Sequence, residues 1–132
     1  MELSEQNVNK QRPVYLDLQQ IQFPATAIAS ILHRVSGVVM FGAIAVLLWL
    51  LATSLESASG FQSVAELFNA LPAKVVIWAI LTALAYHLCG GIRHLLMDLG
   101  LFEGSMESGN NSARVVFAAA LILSVLAGIW LW

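Results

Sequence analysis

Three apolar blocks without a charge constrain this chain more than anything else in it. Val35–Leu55 runs for 21 residues, Val75–Ile92 for 18 and Val115–Trp132 for 18. A helix rises 1.5 Å per residue, so about 20 residues cross the roughly 30 Å of a bilayer's hydrocarbon. Each block reaches that span once neighbouring polar residues complete the crossing. Lipid offers no partner for open backbone N–H and C=O groups, so helix is the state such blocks must take. The pattern predicts an all-α integral membrane protein, one domain over residues 1–132. Its transmembrane helices are expected at about 24–55, 73–98 and 113–132.

Composition removes the other classes. Charged residues make up 11% of the chain, against about 25% in soluble domains. A small soluble domain must cover a large surface with polar groups, and this chain lacks them. Its apolar content equally excludes a disordered chain. The net charge of −2 argues against nucleic acid as a partner, which calls for a basic stripe. The single cysteine, Cys89, excludes an internal disulfide framework and a cysteine-only metal site. Its expected role is packing. The first block begins too late and is too long for a cleavable signal peptide, so all three helices are expected to persist.

Orientation follows from the cations. Lys10, Arg12 and Arg34 precede or open the first span, and Arg93 and Arg114 flank the loop between the second and third. Only Lys74 lies on the other side. The bias places the N-terminus and the second loop in the cytoplasm, and the C-terminus outside. Trp49, Trp78, Trp130 and Trp132 then share the outer end, as an interfacial belt. In a bacterium this means a multi-pass inner-membrane protein.

The connecting segments are mostly polar. Residues 1–23 interleave Leu16, Leu18, Ile21 and Phe23 with Asp17 and several glutamines. That mixture suits a cytoplasmic stretch lying on a partner or on headgroups. Pro24 fits the first turn of a helix. Val64, Leu67, Phe68 and Leu71 follow helical spacing and predict a short interfacial helix in the outer loop. Ser105–Ser112, rich in Gly, Asn and Ser, reads as a cytoplasmic loop.

Polar groups at membrane depth are costly and need a reason. Ser30, His33 and Arg34 are spaced to share one helix face at the cytoplasmic interface. Arginine supplies a fixed fork of donors, serine and histidine add more, and the helix N-terminus adds partial positive charge. The trio suits an anion or a carbonyl-bearing ligand. It equally suits a positive-inside anchor, with Arg34 reaching the headgroups.

The second group is His87, Gly90, Gly91, Arg93, His94 and Asp98. His87 lies six residues inside Arg93, about 9 Å along a helix axis. Neutral imidazole ligates haem well, and haem belongs at this depth. The glycine pair leaves room for a flat macrocycle or for another helix. The alternative is an interhelical hydrogen bond from a lone membrane histidine, with Gly90 and Gly91 as a packing surface. His33 and His94 lie nearer the interface, suited to carboxylate arms rather than to iron. A six-coordinate haem would therefore draw its second ligand from another chain. Asp98, just past the helix end, is suited either to feeding protons or simply to solvation.

Two stretches resemble one family. Arg12-Pro13 is followed by Ser30-x-x-His33-Arg34-x-Ser36, and His87-x-x-x-Gly91-Ile92-Arg93-His94-Leu95-x-Met97-Asp98 comes later. Their order and their positions relative to three spans resemble the cytochrome b membrane anchors of succinate dehydrogenase, respiratory complex II. The resemblance covers nearly the whole chain. It implies one haem b shared with a second small membrane anchor that supplies the other ligand, and His87 as the iron ligand on this chain. It implies Ser30 and Arg34 at the ubiquinone pocket, and His33, Arg34 and His94 near the haem propionates. The implied partners are a flavoprotein with FAD, an iron–sulfur subunit, the second anchor and membrane lipid. The expected architecture is a haem-binding bundle built with that anchor's helices.

The expected activity is the quinone-reducing membrane part of succinate:ubiquinone oxidoreductase, with no residue catalytic in succinate oxidation. That chemistry belongs elsewhere, because the chain has neither a flavin site nor an iron–sulfur cysteine set. The alternatives are the anchor of a related fumarate reductase and a redox-inactive structural or assembly subunit.

Overall fold

The computed structural model describes residues 22–102 and 104–132. The N-terminal segment through Ile21, including Lys10 and Arg12-Pro13, lies outside them. The described residues form α1 (Ala25–Glu56), α2 (Ala58–Asn69), α3 (Leu71–Asp98) and α4 (Met106–Leu131), with no strand among them. Three of these are long and apolar enough to cross a membrane: α1 with 32 residues, α3 with 28 and α4 with 26. At 1.5 Å per residue they run about 48, 42 and 39 Å, so their ends reach past the hydrocarbon.

Local chemistry sets the helix starts. Pro24, at φ −65°, stands immediately before α1. Pro72 lies in the first turn of α3, where its missing N–H costs nothing. Ser57 caps α2, its Oγ accepting from the Gly60 N–H at 3.0 Å. Ser105 caps α4 in the same way, through the Ser108 N–H at 3.1 Å. The short helix expected between the first and second spans exists and runs from Ala58 to Asn69; its one buried residue is Val64.

The helices meet through small residues. On α1 the buried positions are Ala29, Ser36, Ala43 and Leu50, one every seventh residue and hence a single seam. On α4 they are Gly109, Ala113, Val116, Ala120 and Ser124. Small side chains let backbones approach closely, which is how helices associate where hydrophobic burial gives no advantage over lipid. Helix α3 packs against both α1 and α4 and is the centre of the bundle. Large side chains such as Phe41, Val38 and Trp130 point outward, 81%, 74% and 79% exposed.

Polar contacts tie the same interfaces. Thr82 Oγ1 and Ser124 Oγ lie 2.7 Å apart, and Trp78 Nε1 donates to the Ser124 carbonyl at 3.0 Å. That indole thus ties α3 to α4. Lys74 Nζ donates to the Leu131 carbonyl at 3.2 Å, a cation on the negative end of α4.

One expectation is overturned. Ser105–Ser112 is not a loop: after the cap at Ser105, Met106–Ser112 forms the first turns of α4. Tertiary contacts hold this Gly/Asn/Ser stretch in helix. Asn110 Oδ1 accepts from the Thr26 N–H at 3.4 Å, and Arg93 donates to the Gly109 carbonyl at 3.3 Å. The α3–α4 connection lies earlier. There Gly100 and Phe102 take φ of 81° and 69°, a conformation free for glycine that costs a non-glycine residue about 1–2 kcal/mol.

Candidate functional site

Three histidines from two helices come together. The His33 ring of α1 stacks on the His87 ring of α3, with centroids 4.2 Å apart and planes 8° from parallel. His94, two turns along α3, meets the His33 ring at 4.9 Å and 53°. All three are half-buried. Glycines make the approach possible. A Cβ at Gly37 would lie 3.2 Å from His87 Cε1, and one at Gly90 would lie 3.0 Å from His33 Cδ2. The Gly90-Gly91 pair therefore receives the His33 ring of the neighbouring helix.

The hydrogen bonds fix the protonation of His87. Its Nδ1 lies 3.2 Å from the His33 carbonyl and 3.0 Å from Ser36 Oγ. Ser36 Oγ itself donates to that carbonyl at 2.7 Å. A carbonyl can only accept, and the serine proton is already committed, so Nδ1 must carry the proton. With Nδ1 as the donor, Nε2 is the nitrogen left for a metal, and a histidine oriented through its other nitrogen by a backbone carbonyl is a common metal ligand. Among the described residues no three His, Cys, Asp or Glu side chains, the clustered histidines included, are arranged to hold a metal ion by themselves. A metal at His87 would have to bring most of its own ligands, as a porphyrin does.

His33 Nε2 is buried with no hydrogen-bond partner among the described residues. An orphaned polar atom at membrane depth is expensive, and an acceptor such as a carboxylate arm would satisfy it. Ser30 is half-buried and Arg34 exposed on α1, leaving both side chains available to a ligand. Asp98 is exposed at the end of α3. Arg93 does not join the histidines. It is 4% exposed, with Nε donating to Ser112 Oγ at 2.9 Å, and so it fastens α3 to α4. The charge count treats it as a surface cation, but the structure buries it.

Comparison with known proteins matches residues 8–127 to the model of the succinate dehydrogenase/fumarate reductase transmembrane subunit family. The chain belongs to that family. It is 43% identical to the succinate dehydrogenase cytochrome b556 subunit of Coxiella burnetii, over 95% of this chain and all of the relative. It is 32% identical to the subunit of the same name from Rickettsia felis, over 96% and 98% of the two chains. The Paracoccus denitrificans subunit is 29% identical over 87% and 88%. The resemblance carried by the two motifs is thereby borne out, as is an all-helical, multi-pass membrane protein.

Within this member of the transmembrane subunit family, two contributors escaped the sequence reading. Ser36 closes the first motif, but its spacing alone assigns it no partner. Gly37 carries no signal beyond following Ser36. Tyr86 donates its hydroxyl to the Ala29 carbonyl at 2.9 Å, binding α3 to α1 one residue before His87. This is the packing role expected of an interfacial aromatic.

Proposed function

We propose that this chain is the haem b- and ubiquinone-binding anchor of a bacterial succinate:ubiquinone oxidoreductase. The observation that carries the reading is the His87 ring, whose Nδ1–H is held by the His33 carbonyl and Ser36 with Nε2 left to bind iron. The names of the relatives support it. The residues present fit a haem: His87 as axial ligand, with His33, Arg34 and His94 toward the propionates. The orphaned His33 Nε2 supports a carboxylate acceptor there. When bound, haem b supplies a one-electron store within the membrane. A second small anchor subunit supplies the other ligand, and a FAD flavoprotein and an iron–sulfur subunit complete the assembly.

Ser30 and Arg34 bind the quinone headgroup. Its reduction places negative charge on the carbonyl oxygens and consumes two protons. A guanidinium and a hydroxyl aimed at those oxygens stabilise that charge in a site shielded from water. Their position in the first turns of α1 leaves the quinone tail in lipid while protons arrive from the cytoplasm. This orientation follows the cation bias, with the α3–α4 connection on the cytoplasmic side of the inner membrane.

The test uses the intact complex purified from membranes. His87→Ala is expected to lose or shift the haem b band in a reduced-minus-oxidised spectrum. Arg34→Ala and Ser30→Ala are expected to slow quinone reduction while dye-linked succinate oxidation persists. Normal quinone reductase rates in Arg34→Ala would overturn the quinone assignment. The His33–His87 stack favours one rival, a redox-inactive anchor whose histidines only pack helices. A wild-type complex without the haem b band would favour that rival.

A further inference from the structure

A cavity of about 680 Å³ opens between α3 and α4 near their connection. It lies away from the histidines. Cys89 and Leu96, both in its wall, stand two and nine residues after His87, about 200° and 180° round the helix. Cys89, Val115 and Ala119 give it an apolar floor, while Arg93, Glu107 and Asn111 supply polar groups.

The charges in this wall are unbalanced. Arg93 is 4% exposed, yet its partners, Ser112 Oγ and the Gly109 carbonyl, are neutral. A guanidinium carries five N–H donors, so several remain for a ligand. Among the described residues no carboxylate pairs with it, and a buried charge is costly until it is paired. Glu107, exposed in the first turn of α4, likewise takes no cation among the described residues. The wall thus presents one positive and one negative group, unpaired with each other, above an apolar floor.

We propose that this cavity seats a phospholipid with a zwitterionic headgroup, one phosphate and one ammonium, for which phosphatidylethanolamine is the probe. Its phosphate meets Arg93, its ammonium meets Glu107, and an acyl chain lies along Cys89, Val115 and Ala119. Charge complementarity selects the headgroup. An anionic lipid would place a second negative charge against Glu107, and a purely apolar helix would leave Arg93 unpaired. That this face meets lipid rather than the second anchor rests on the proposed function, in which the anchor covers the His87 face.

The experiment is native mass spectrometry of the intact complex from nanodiscs holding equal phosphatidylethanolamine and phosphatidylglycerol. The wild type is expected to retain one phosphatidylethanolamine per copy of this chain. Glu107→Gln, at an exposed position, is expected to lower the ratio of retained phosphatidylethanolamine to phosphatidylglycerol about tenfold while leaving the haem band unchanged. Arg93→Lys is expected to keep the lipid, and Arg93→Gln to release it. A photo-crosslinker at Asn111 should label lipid. No retained lipid, a wild-type preference for phosphatidylglycerol, an unchanged ratio in Glu107→Gln, or crosslinking to a partner polypeptide would each overturn the proposal. Absence of the haem band from the wild type would sink the proposed function and leave the lipid result standing.

Discussion

His87 Nδ1 lies 3.2 Å from the backbone carbonyl of His33, across the interface between α1 and α3. One histidine thus orients another through main chain rather than through a side chain. The contact cannot be removed by replacing His33, but it can be weakened from Ser36, whose hydroxyl shares the same carbonyl and the same Nδ1.

Ser36→Ala is therefore expected to loosen the His87 ring without freeing it. Partners that orient a metal-ligating histidine are typically worth a factor of about 10–100 in affinity. Haem retention during purification should fall by about that factor, with the band position kept. The check is haem-to-protein stoichiometry against wild type and Ser36→Thr, which restores the hydroxyl.

Glycine positions on α1 should separate sharply. An added Cβ at Gly37 meets His87 Cε1 at 3.2 Å, whereas at Gly42 nothing lies within 4 Å. Gly37→Ala is expected to displace the ring and destabilise the α1–α3 pair, since overpacking costs about 1–3 kcal/mol. Gly42→Ala should be neutral or stabilising by up to about 1 kcal/mol through helix propensity. Thermal unfolding of the solubilised complex, followed by the haem band, reads both.

Arg93→Ala should weaken the α3–α4 interface. It removes two hydrogen bonds from a charged donor, a type of bond worth about 1.5–3 kcal/mol each. The expected result is a clear loss of thermal stability and poorer recovery of assembled complex. Arg114→Ala, at an exposed position, should behave like wild type in the same assay.

The Thr82–Ser124 contact at 2.7 Å tests how much an intramembrane hydrogen bond contributes. Such pairs average about 0.6 kcal/mol, because the separated helices also find partners. A double-mutant cycle of Thr82→Val and Ser124→Ala is expected to give coupling of that size. Coupling near zero would mean that the Trp78 indole bond to the Ser124 carbonyl holds this interface without the hydroxyls.

Several features were legible before any coordinates. Uncharged runs long enough for a bilayer located α1, α3 and α4. The spacing of Val64, Leu67, Phe68 and Leu71 announced α2, although Leu71 itself opens α3. Two motifs pointed to His33 and His87. The start of α4 was not legible, because Gly109, Asn110 and Asn111 have the composition of a turn. They are helical because Ser105 caps them and because Thr26 and Arg93 bond to them from other helices. Arg93 itself read as a surface cation, since residue type reports charge and not direction.

Hydropathy is a property of residues taken in order, and it acts on each helix separately in lipid. The sequence alone therefore determined that this chain crosses a membrane three times and which residues share each helix face. Which faces meet is a matter of packing, set by small residues that let α1 and α4 close onto α3. Only that packing decided that His33 stacks on His87, that a carbonyl accepts from one particular imidazole nitrogen, and that Arg93 turns inward beside a cavity. Those outcomes depend on distances between segments far apart in the chain, which neither spacing nor composition encodes.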